Sequence, residues 1–252
     1  MSGMGRTDNG HGRLGGALSG LAVAVGCVLF LGGFVWGALV YQPYTVPTDS
    51  MSPTVQAGDR VLAERIDGAE VRRGDIVVFR DRQWGDMPMV KRVVGVGGDT
   101  IACCGDGGRL TVNGEEIDEP YLLDSGPAAQ KFTATVPEGQ LFMLGDERKG
   151  SVDSRVHLQE PGQGSVPRSA VDARVDAVAW PLSGGTVDRP KGFAALEGGI
   201  SQPGPVKLML VAVVAGAVLI VGGAAYGPLA GRLRGGRRAR RDKRERAVAG
   251  VG

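Results

Sequence analysis

Two long stretches without a charged side chain, Leu14–Val40 and Leu208–Ala230, constrain the fold of this chain more than any other feature. A helix needs about 20 mainly apolar residues to cross the hydrocarbon core of a bilayer, and both stretches are long enough. The first stretch exceeds the roughly 7–15 apolar residues of a cleaved signal peptide, which favours an uncleaved anchor. A buried core helix is the alternative for the second stretch, but the charges beside it disfavour that interpretation. We therefore predict two transmembrane helices.

A basic cluster follows the second apolar stretch. It contains nine Lys or Arg residues between Arg232 and Arg246, although the net charge of the chain is only +2. Basic segments beside a membrane span stay on the cytoplasmic side. We therefore predict a two-span protein of the plasma membrane, with both termini in the cytoplasm and the intervening region outside it. The cluster favours contact with anionic phospholipids of the bilayer. Since no aromatic residue is interleaved with these charges, nucleic-acid binding is not predicted.

These predictions divide the chain into six segments with different roles. They are a short cytoplasmic N-terminus (1–13), a transmembrane helix (14–40), an extracytoplasmic β-rich domain (41–181), a Gly/Pro-rich linker (182–207), a second transmembrane helix (208–230) and a basic cytoplasmic tail (231–252).

The region between the spans has short apolar runs separated by turn residues, which is typical of antiparallel β structure. The predicted strands and the hairpin with an Asn-Gly turn are Asp75–Arg80, Met89–Val96, Leu110–Ile117, Gln140–Leu144 and Val175–Trp180. Gly-Asp pairs recur between these runs and indicate turns. No long amphipathic helix pattern is present. We therefore predict a mainly β domain flanked by two transmembrane helices.

Ser50 and Lys91 are candidates for nucleophile and general base in this region. A serine hydroxyl needs a base beside it, and of the two histidines His11 is predicted to be cytoplasmic, while the context of His157 is typical of a surface loop. A lysine can replace histidine only when it is neutral, and burial lowers its pKa. Arg92 lies on the opposite face of the same strand, but arginine is not deprotonated in proteins. An edge-strand charge for Lys91 and a turn serine for Ser50 are the alternatives.

The neighbourhood of Ser50 suits a held nucleophile near a membrane surface. Pro47 and Pro53 stiffen the segment on both sides of it. The ten residues from Val40 to Ser50 span at most ~33–36 Å when fully extended, so Ser50 lies close to the end of the first span.

Four blocks, in order, resemble the bacterial type I signal peptidases, which are membrane-anchored Ser-Lys proteases. The resemblance covers about residues 40–182. The blocks are Pro47-Thr48-Asp49-Ser50-Met51-Ser52-Pro53-Thr54, Arg73-Gly74-Asp75-Ile76-Val77-Val78-Phe79, Val90-Lys91-Arg92-Val93-Val94-Gly95, and Gly145-Asp146-Glu147-Arg148 through Ser151-Val152-Asp153-Ser154-Arg155.

The resemblance implies a role for each matching position. Ser50 would attack the scissile carbonyl, and Lys91 would accept its proton and later activate water. The Ser50 N–H and the Thr48 hydroxyl would form the oxyanion hole. The supporting residues would be Ser151, which orients the lysine amine, the ion pair of Asp153 with Arg155, and the acidic residue Asp146. Glu147, where an amide is usual, and Asp172-Ala173 depart from the family pattern.

The resemblance also implies the reaction and its substrates. The chain would remove N-terminal signal peptides from secreted preproteins in the membrane, cutting after small residues at the first and third positions before the cleavage site. Strand addition to an exposed edge would bind the substrate. The alternatives are a Ser-Lys protease that processes a narrower set of proteins and a catalytically inactive, membrane-anchored β binding module.

The remaining sequence features indicate no cofactor. No Cys/His/Asp cluster has metal-ligand spacing, so neither a metal nor another cofactor is predicted. Cys103 and Cys104 are adjacent outside the cytoplasm. An oxidising compartment permits a disulfide between them. The ring that a disulfide between adjacent cysteines closes would be strained, so two free thiols are the alternative. The sequence does not indicate an oligomeric state.

Overall fold

The computed structural model describes residues 10–105, 108–123, 131–182 and 184–226. The chain divides into two compact units, of which one contains most of the two long helices and the other comprises Ala38–Val206. Helix α1 runs over Gly10–Val40 and helix α2 over Val206–Tyr226. Both are long and apolar enough to cross a membrane, and only 11% of each apolar window is buried. Residues 227–230 of the second predicted span lie outside the described residues.

Within their unit, α1 and α2 approach closely at glycines. A Cβ atom on Gly26 would lie 2.8 Å from Gly216 O, and one on Gly223 would lie 2.8 Å from a methyl group of Val23. The Ser19 hydroxyl donates to Gly223 O at 2.7 Å. Small residues allow transmembrane helices to pack at short distance, so these contacts are typical of a helix pair in a bilayer.

The other unit is built mainly on an eight-stranded antiparallel sheet. Its strands lie in the order β1-β2-β11-β3-β4-β9-β10, and β12 pairs with β11. Their bounds are β1 Tyr41–Thr45, β2 Arg60–Glu64, β3 Ile76–Phe79, β4 Met89–Val96, β9 Gln140–Leu144, β10 Val166–Pro167, β11 Val171–Trp180 and β12 Gly185–Thr186. The prediction of a mainly antiparallel β fold is confirmed.

A second, four-stranded antiparallel sheet has the order β7-β6-β5-β8. Its strands are β5 Thr100–Cys103, β6 Leu110–Val112, β7 Glu115–Glu116 and β8 Phe132–Thr135. The predicted hairpin joins β6 to β7. Asn113 and Gly114 both have positive φ, 54° and 84°, which is the backbone that a two-residue type I′ turn requires.

The segment predicted to be a linker, 182–207, packs on the β-rich unit over part of its length. Phe193 is fully buried and Leu196 nearly so, and both belong to the core cluster of the second sheet. Arg189 pairs with Asp176 of β11, and the Ser201 hydroxyl donates to the buried Asp75 carboxylate. This segment is therefore anchored by apolar and polar contacts.

The adjacent cysteines Cys103 and Cys104 are joined by a disulfide. Of the two alternatives that the sequence leaves open, the structure contains the bonded one. Cys103 ends β5, and its side chain is buried in the core of the second sheet.

Candidate active site

Ser50 lies in the loop that joins β1 to β2. The base of this loop is closed by a hydrogen bond from Val46 N–H to Asp59 O at 2.9 Å. Met51 and Val55 within the loop are fully buried in the core of the main sheet. Backbone pairing at the base and apolar packing in the middle therefore hold the Ser50 backbone in place.

Lys91 and Arg92 are neighbours on β4, and their side chains are 5% and 1% exposed. Arg92 makes a bidentate ion pair with Asp146, with Nε–Oδ1 at 2.8 Å and Nη2–Oδ2 at 2.7 Å. Lys91 has no carboxylate at ion-pair distance among the described residues. Its Nζ lies 2.8 Å from Ser50 Oγ and 3.2 Å from Val90 O. The structure therefore places the lysine, and not the arginine, against the candidate nucleophile.

Burial shifts the protonation equilibrium of Lys91 toward the neutral amine. Loss of hydration disfavours its ammonium form and lowers the pKa of Lys91, although the carboxylates of Asp153 and Asp146 partly oppose that shift. A neutral amine has a lone pair that can accept the Ser50 proton. The site can thus supply a base without a histidine.

The exposed residue Thr48 contacts the Ser50 side chain through its hydroxyl. It donates to Ser50 Oγ across 3.3 Å. Both residues line the same cleft. A hydroxyl in this position can turn from Ser50 Oγ to an oxygen that develops negative charge beside it.

A turn after β9, residues 145–148, contacts Ser50 through its backbone. Glu147 N–H donates to Ser50 O at 3.1 Å. Gly145 lies so close to Ser50 O and to the Ser151 hydroxyl that a Cβ at this position would clash with both. The turn therefore fixes the carbonyl of the candidate nucleophile, and it requires glycine at its first position.

The predicted ion pair of Asp153 with Arg155 is present, with Nε–Oδ1 and Nη2–Oδ2 both at 2.8 Å. Asp153 Oδ2 also accepts the Gly145 N–H at 3.0 Å. The pair thus supports the turn that contacts Ser50, and its carboxylate acts electrostatically on Lys91.

Ser151 lies beside the site, but the structure does not join it to Lys91. Its hydroxyl is buried and has no hydrogen-bond partner among the described residues. It lies close to the Gly145 backbone, where it leaves no room for a Cβ atom. A buried hydroxyl without a partner is rare in proteins, and this one lies next to the turn that holds the candidate nucleophile.

A cleft of about 530 Å³ opens beside Ser50. Two stretches of chain, 46–50 and 87–91, supply most of its lining, and three residues between 147 and 152 supply the rest. The lining residues are Val46, Pro47, Thr48, Asp49, Ser50, Met87, Pro88, Met89, Val90, Lys91, Glu147, Gly150 and Val152. Apolar side chains dominate this list, and its charged members other than Lys91 are the carboxylates of Asp49 and Glu147.

Sequence reasoning did not identify the cleft residues that come from outside the Ser50 and Lys91 blocks. Met87 and Val152 are 66% and 61% exposed, which is high for apolar side chains. They lie in short loops without a period of 2 or 3.6, so only the assembled structure shows that they share a cleft with Ser50.

His157 is engaged elsewhere. Its Nδ1 lies 2.7 Å from Glu160 Oε1, and its ring stacks on Trp84 with centroids 4.6 Å apart. Within the described ranges, no group of three or more His, Cys, Asp or Glu side chains could hold a metal ion.

Comparison with known proteins gives one family. The profile described as "Signal peptidase, peptidase S26" matches residues 18–180. The probable signal peptidase I of Mycobacterium leprae is 31% identical over 209 residues, covering 60% of this chain and 72% of the relative. Signal peptidase IB of Staphylococcus aureus is 32% identical over 182 residues, covering 65% and 88%.

A solved structure also matches part of the chain. The crystal structure of a signal peptidase I from Enterococcus faecalis V583 is 29% identical, with a TM-score of 0.34, and the match covers 41% of this chain and 94% of that one.

Proposed function

The chain belongs to the peptidase S26 family of signal peptidases, and on that premise we propose that Ser50 is its nucleophile and Lys91 its general base. Membership makes the protein a membrane-associated serine endopeptidase that removes signal peptides from preproteins. The observation that carries the proposed dyad is the 2.8 Å separation of Lys91 Nζ from Ser50 Oγ. The burial of Lys91, which favours its neutral amine, also supports the dyad.

In the proposed acylation step, neutral Lys91 Nζ takes the proton of the Ser50 hydroxyl as Oγ attacks the scissile carbonyl carbon. The carbonyl oxygen becomes an oxyanion, which accepts hydrogen bonds from the Ser50 N–H and the Thr48 hydroxyl. Collapse of the tetrahedral intermediate breaks the C–N bond. The Lys91 ammonium then donates its proton to the departing amine, which is the N-terminus of the mature protein.

In the proposed deacylation step, Lys91 is neutral again and activates a water molecule. The water attacks the ester carbonyl, its proton passes to Nζ, and Ser50 Oγ leaves with that proton. During each step the ammonium is transiently buried. The buried Ser151 hydroxyl, which has no hydrogen-bond partner among the described residues, is free to accept a hydrogen bond from it, and Asp153 and Asp146 stabilise its charge.

The cleft supports a substrate bound in extended form. Residues 46–48 and 87–89 both line it, so a peptide between them could pair with backbone and place side chains into the apolar lining. Small residues at the first and third positions before the cut fit a site whose nucleophile is only partly exposed. The carboxylates of Asp49 and Glu147 also line the cleft and would lie next to the bound peptide.

For the topology, we propose that α1 and α2 span the membrane and that the β-rich unit is extracytoplasmic. The proposed segments are those predicted from the sequence, with 182–207 packed on the β-rich unit. The long uncharged stretch within each helix and the basic residues that follow α2 in the sequence support this arrangement.

The test is cleavage of a model preprotein with Ala at the first and third positions before its cut, by the full chain purified in detergent. Wild type should cut there, as located by mass spectrometry. Ser50→Ala and Lys91→Ala should each lower the rate by more than about 10³-fold with unchanged thermal unfolding. Val156→Ala, at an exposed position that does not line the cleft, serves as the control. Cleavage that survives either active-site substitution would refute the dyad.

A further inference from the structure

The segment that follows the second sheet's hairpin, residues 117–123, contacts the turn after β9 through buried polar groups. Glu119 makes a bidentate ion pair with Arg148, with oxygen–nitrogen distances of 2.5 and 3.1 Å. The two side chains are only 7% and 8% exposed. Arg148 Nε also donates to Gly145 O at 3.0 Å. Glu119 thus orients a guanidinium that holds the first residue of the turn.

A second connection starts from the same segment. The Tyr121 hydroxyl donates to Glu119 Oε1 at 2.5 Å. The guanidinium of Arg92 lies over the Tyr121 ring, with 3.9 Å from its carbon to the centroid. Arg92 in turn holds Asp146 by its bidentate ion pair. Tyr121 therefore supports the second residue of the turn by a cation–π contact.

Both connections end in the turn whose Glu147 N–H donates to Ser50 O. Asp146 adds another contact to the Ser50 loop, since it accepts the Thr54 hydroxyl at 2.6 Å. The contacts therefore lead from Glu119 and Tyr121 to the turn, and from the turn to the loop that carries the nucleophile.

We propose that Glu119, Tyr121 and Arg148 are positioning residues for Ser50, by which the segment 117–123 sets the geometry of the catalytic step. None of the three lines the cleft beside Ser50, so they act through the turn and not on the substrate. This inference rests on the proposed function of Ser50.

The energetics of the contacts favour a role in geometry. A buried ion pair adds little net stability, because desolvation offsets the attraction of its charges. Bidentate guanidinium–carboxylate pairs nevertheless fix direction as well as distance. An error of about 1 Å in the position of a reacting group can cost on the order of 100-fold in rate. Small displacements of the turn would therefore lower the rate of acylation before they impair substrate binding.

The test uses Glu119→Gln and Tyr121→Phe in the full chain in detergent. Glu119→Gln removes the charge that orients Arg148, and Tyr121→Phe removes only the hydroxyl and keeps the ring under Arg92. We expect Glu119→Gln to lower kcat about 10-fold with KM within about twofold. Tyr121→Phe should lower kcat less, and Glu119→Asp should recover part of the loss.

The matched control is Asp99→Asn, which breaks another buried bidentate pair of the same unit. Arg73 and Asp99 are 7% and 3% exposed and lie 2.5 Å apart, but neither contacts the turn or the cleft in any described interaction. We expect Asp99→Asn to lower the unfolding temperature at least as much as Glu119→Gln while kcat of the folded protein stays within about twofold of wild type.

Three results would overturn the inference. They are an unchanged kcat in folded Glu119→Gln, an equal loss of kcat in Asp99→Asn, and a loss that appears only in KM. Failure of the proposed function would be seen in a different experiment. It would appear as cleavage by Ser50→Ala or Lys91→Ala, whatever the result with the positioning variants.

Discussion

At the scale of single residues, the buried cations of the β-rich unit differ in their partners. Arg73, Arg92 and Arg174 each face a carboxylate at 2.5–2.7 Å, whereas Lys91 faces the Ser50 hydroxyl. A buried arginine keeps its charge and needs such a partner. A buried lysine can instead lose its proton. The residue type therefore separates the cation used for structure from the one available as a base.

The pH dependence of cleavage follows from this difference. Because burial lowers the pKa of Lys91, the neutral amine is populated at lower pH than for a free lysine. We expect kcat/KM to rise with pH through a pKa below 10.5, the ordinary value for lysine, as the protonated base loses its proton. Initial rates on a peptide substrate between about pH 5 and 10 measure this. A rate that falls as pH rises over this range would contradict the assignment.

The same burial lowers the stability of the folded chain while Lys91 is protonated. Below the folded-state pKa of Lys91, the folded and unfolded chains both bind the proton, and the buried ammonium costs stability that is recovered as pH rises toward the unfolded-state pKa. Lys91→Met keeps the shape and removes the cost. We expect this variant to be inactive and to unfold at neutral pH at the same or a higher temperature than wild type, as measured by calorimetry.

Lys91→Arg should also be inactive, since the arginine side chain stays charged and cannot accept the Ser50 proton.

Glu147 contributes a carboxylate to the cleft wall, where it also accepts the Gly150 N–H. We expect it to favour substrates with a basic side chain beside the scissile bond and to disfavour acidic ones, by about 0.2–1 kcal/mol for an exposed pair. Peptides that differ only by Lys or Glu at the first position after the cut measure the preference. Glu147→Gln should reduce it. The idea would be refuted if the ratio of kcat/KM for the Lys peptide to kcat/KM for the Glu peptide were the same in wild type and in Glu147→Gln.

At the scale of elements, the strands with the clearest patterns were predictable from sequence. β4 and β9 match their predicted bounds residue for residue, because runs of mainly apolar residues between turn residues are typical of central strands. β5 and β8 were not predicted. They have four residues each and alternate in exposure. An alternation over only four residues does not distinguish a strand from a loop in the sequence. The turn between β6 and β7 was predictable because Asn-Gly adopts positive φ at low cost.

The site was predictable only in part. Ser50 and Lys91 were candidates from their residue types and sequence contexts as well as from the resemblance. Thr48 and the acidic residues after β9 were named by the resemblance alone, and the structure places all of them around the same loop and turn. The cleft wall and the contacts of Glu119 with Arg148 were not, because they join residues that are distant in sequence and carry no local period. The role of Ser151 stays a prediction, since its hydroxyl lies near the turn and has no hydrogen-bond partner among the described residues.

The segment before α2 provides a test at this scale. Its Gly/Pro-rich composition predicted a linker, yet Phe193 is fully buried, whereas Leu182 is 83% exposed. We expect Phe193→Ala to lower the free energy of unfolding by about 3–5 kcal/mol through loss of apolar contact and a cavity. Leu182→Ala, in the same segment, should change it by less than about 0.5 kcal/mol. Equal effects in denaturant titrations would show that the segment is not part of the core.

At the scale of the whole molecule, the proposed topology places catalysis on one side of the membrane and the basic tail on the other. Trypsin cleaves after Lys and Arg, so the tail from Arg232 to Arg246 is a direct reporter. We expect trypsin to remove an epitope fused after Gly252 in inverted vesicles and to leave it intact on spheroplasts. An epitope in the loop at 81–83 of the β-rich unit should behave in the opposite way. Removal of the C-terminal epitope from intact spheroplasts would contradict the topology.

The central claim is that Ser50 carries the acyl group during cleavage. It is tested most directly by mixing the full chain with a preprotein substrate, stopping the reaction with acid within one turnover, and mapping the acylated peptide by mass spectrometry. We predict that the signal peptide is attached through its new C-terminus to Ser50, and that Lys91→Ala accumulates no adduct. An adduct on another residue, or turnover without any adduct while Ser50→Ala remains active, would contradict the account.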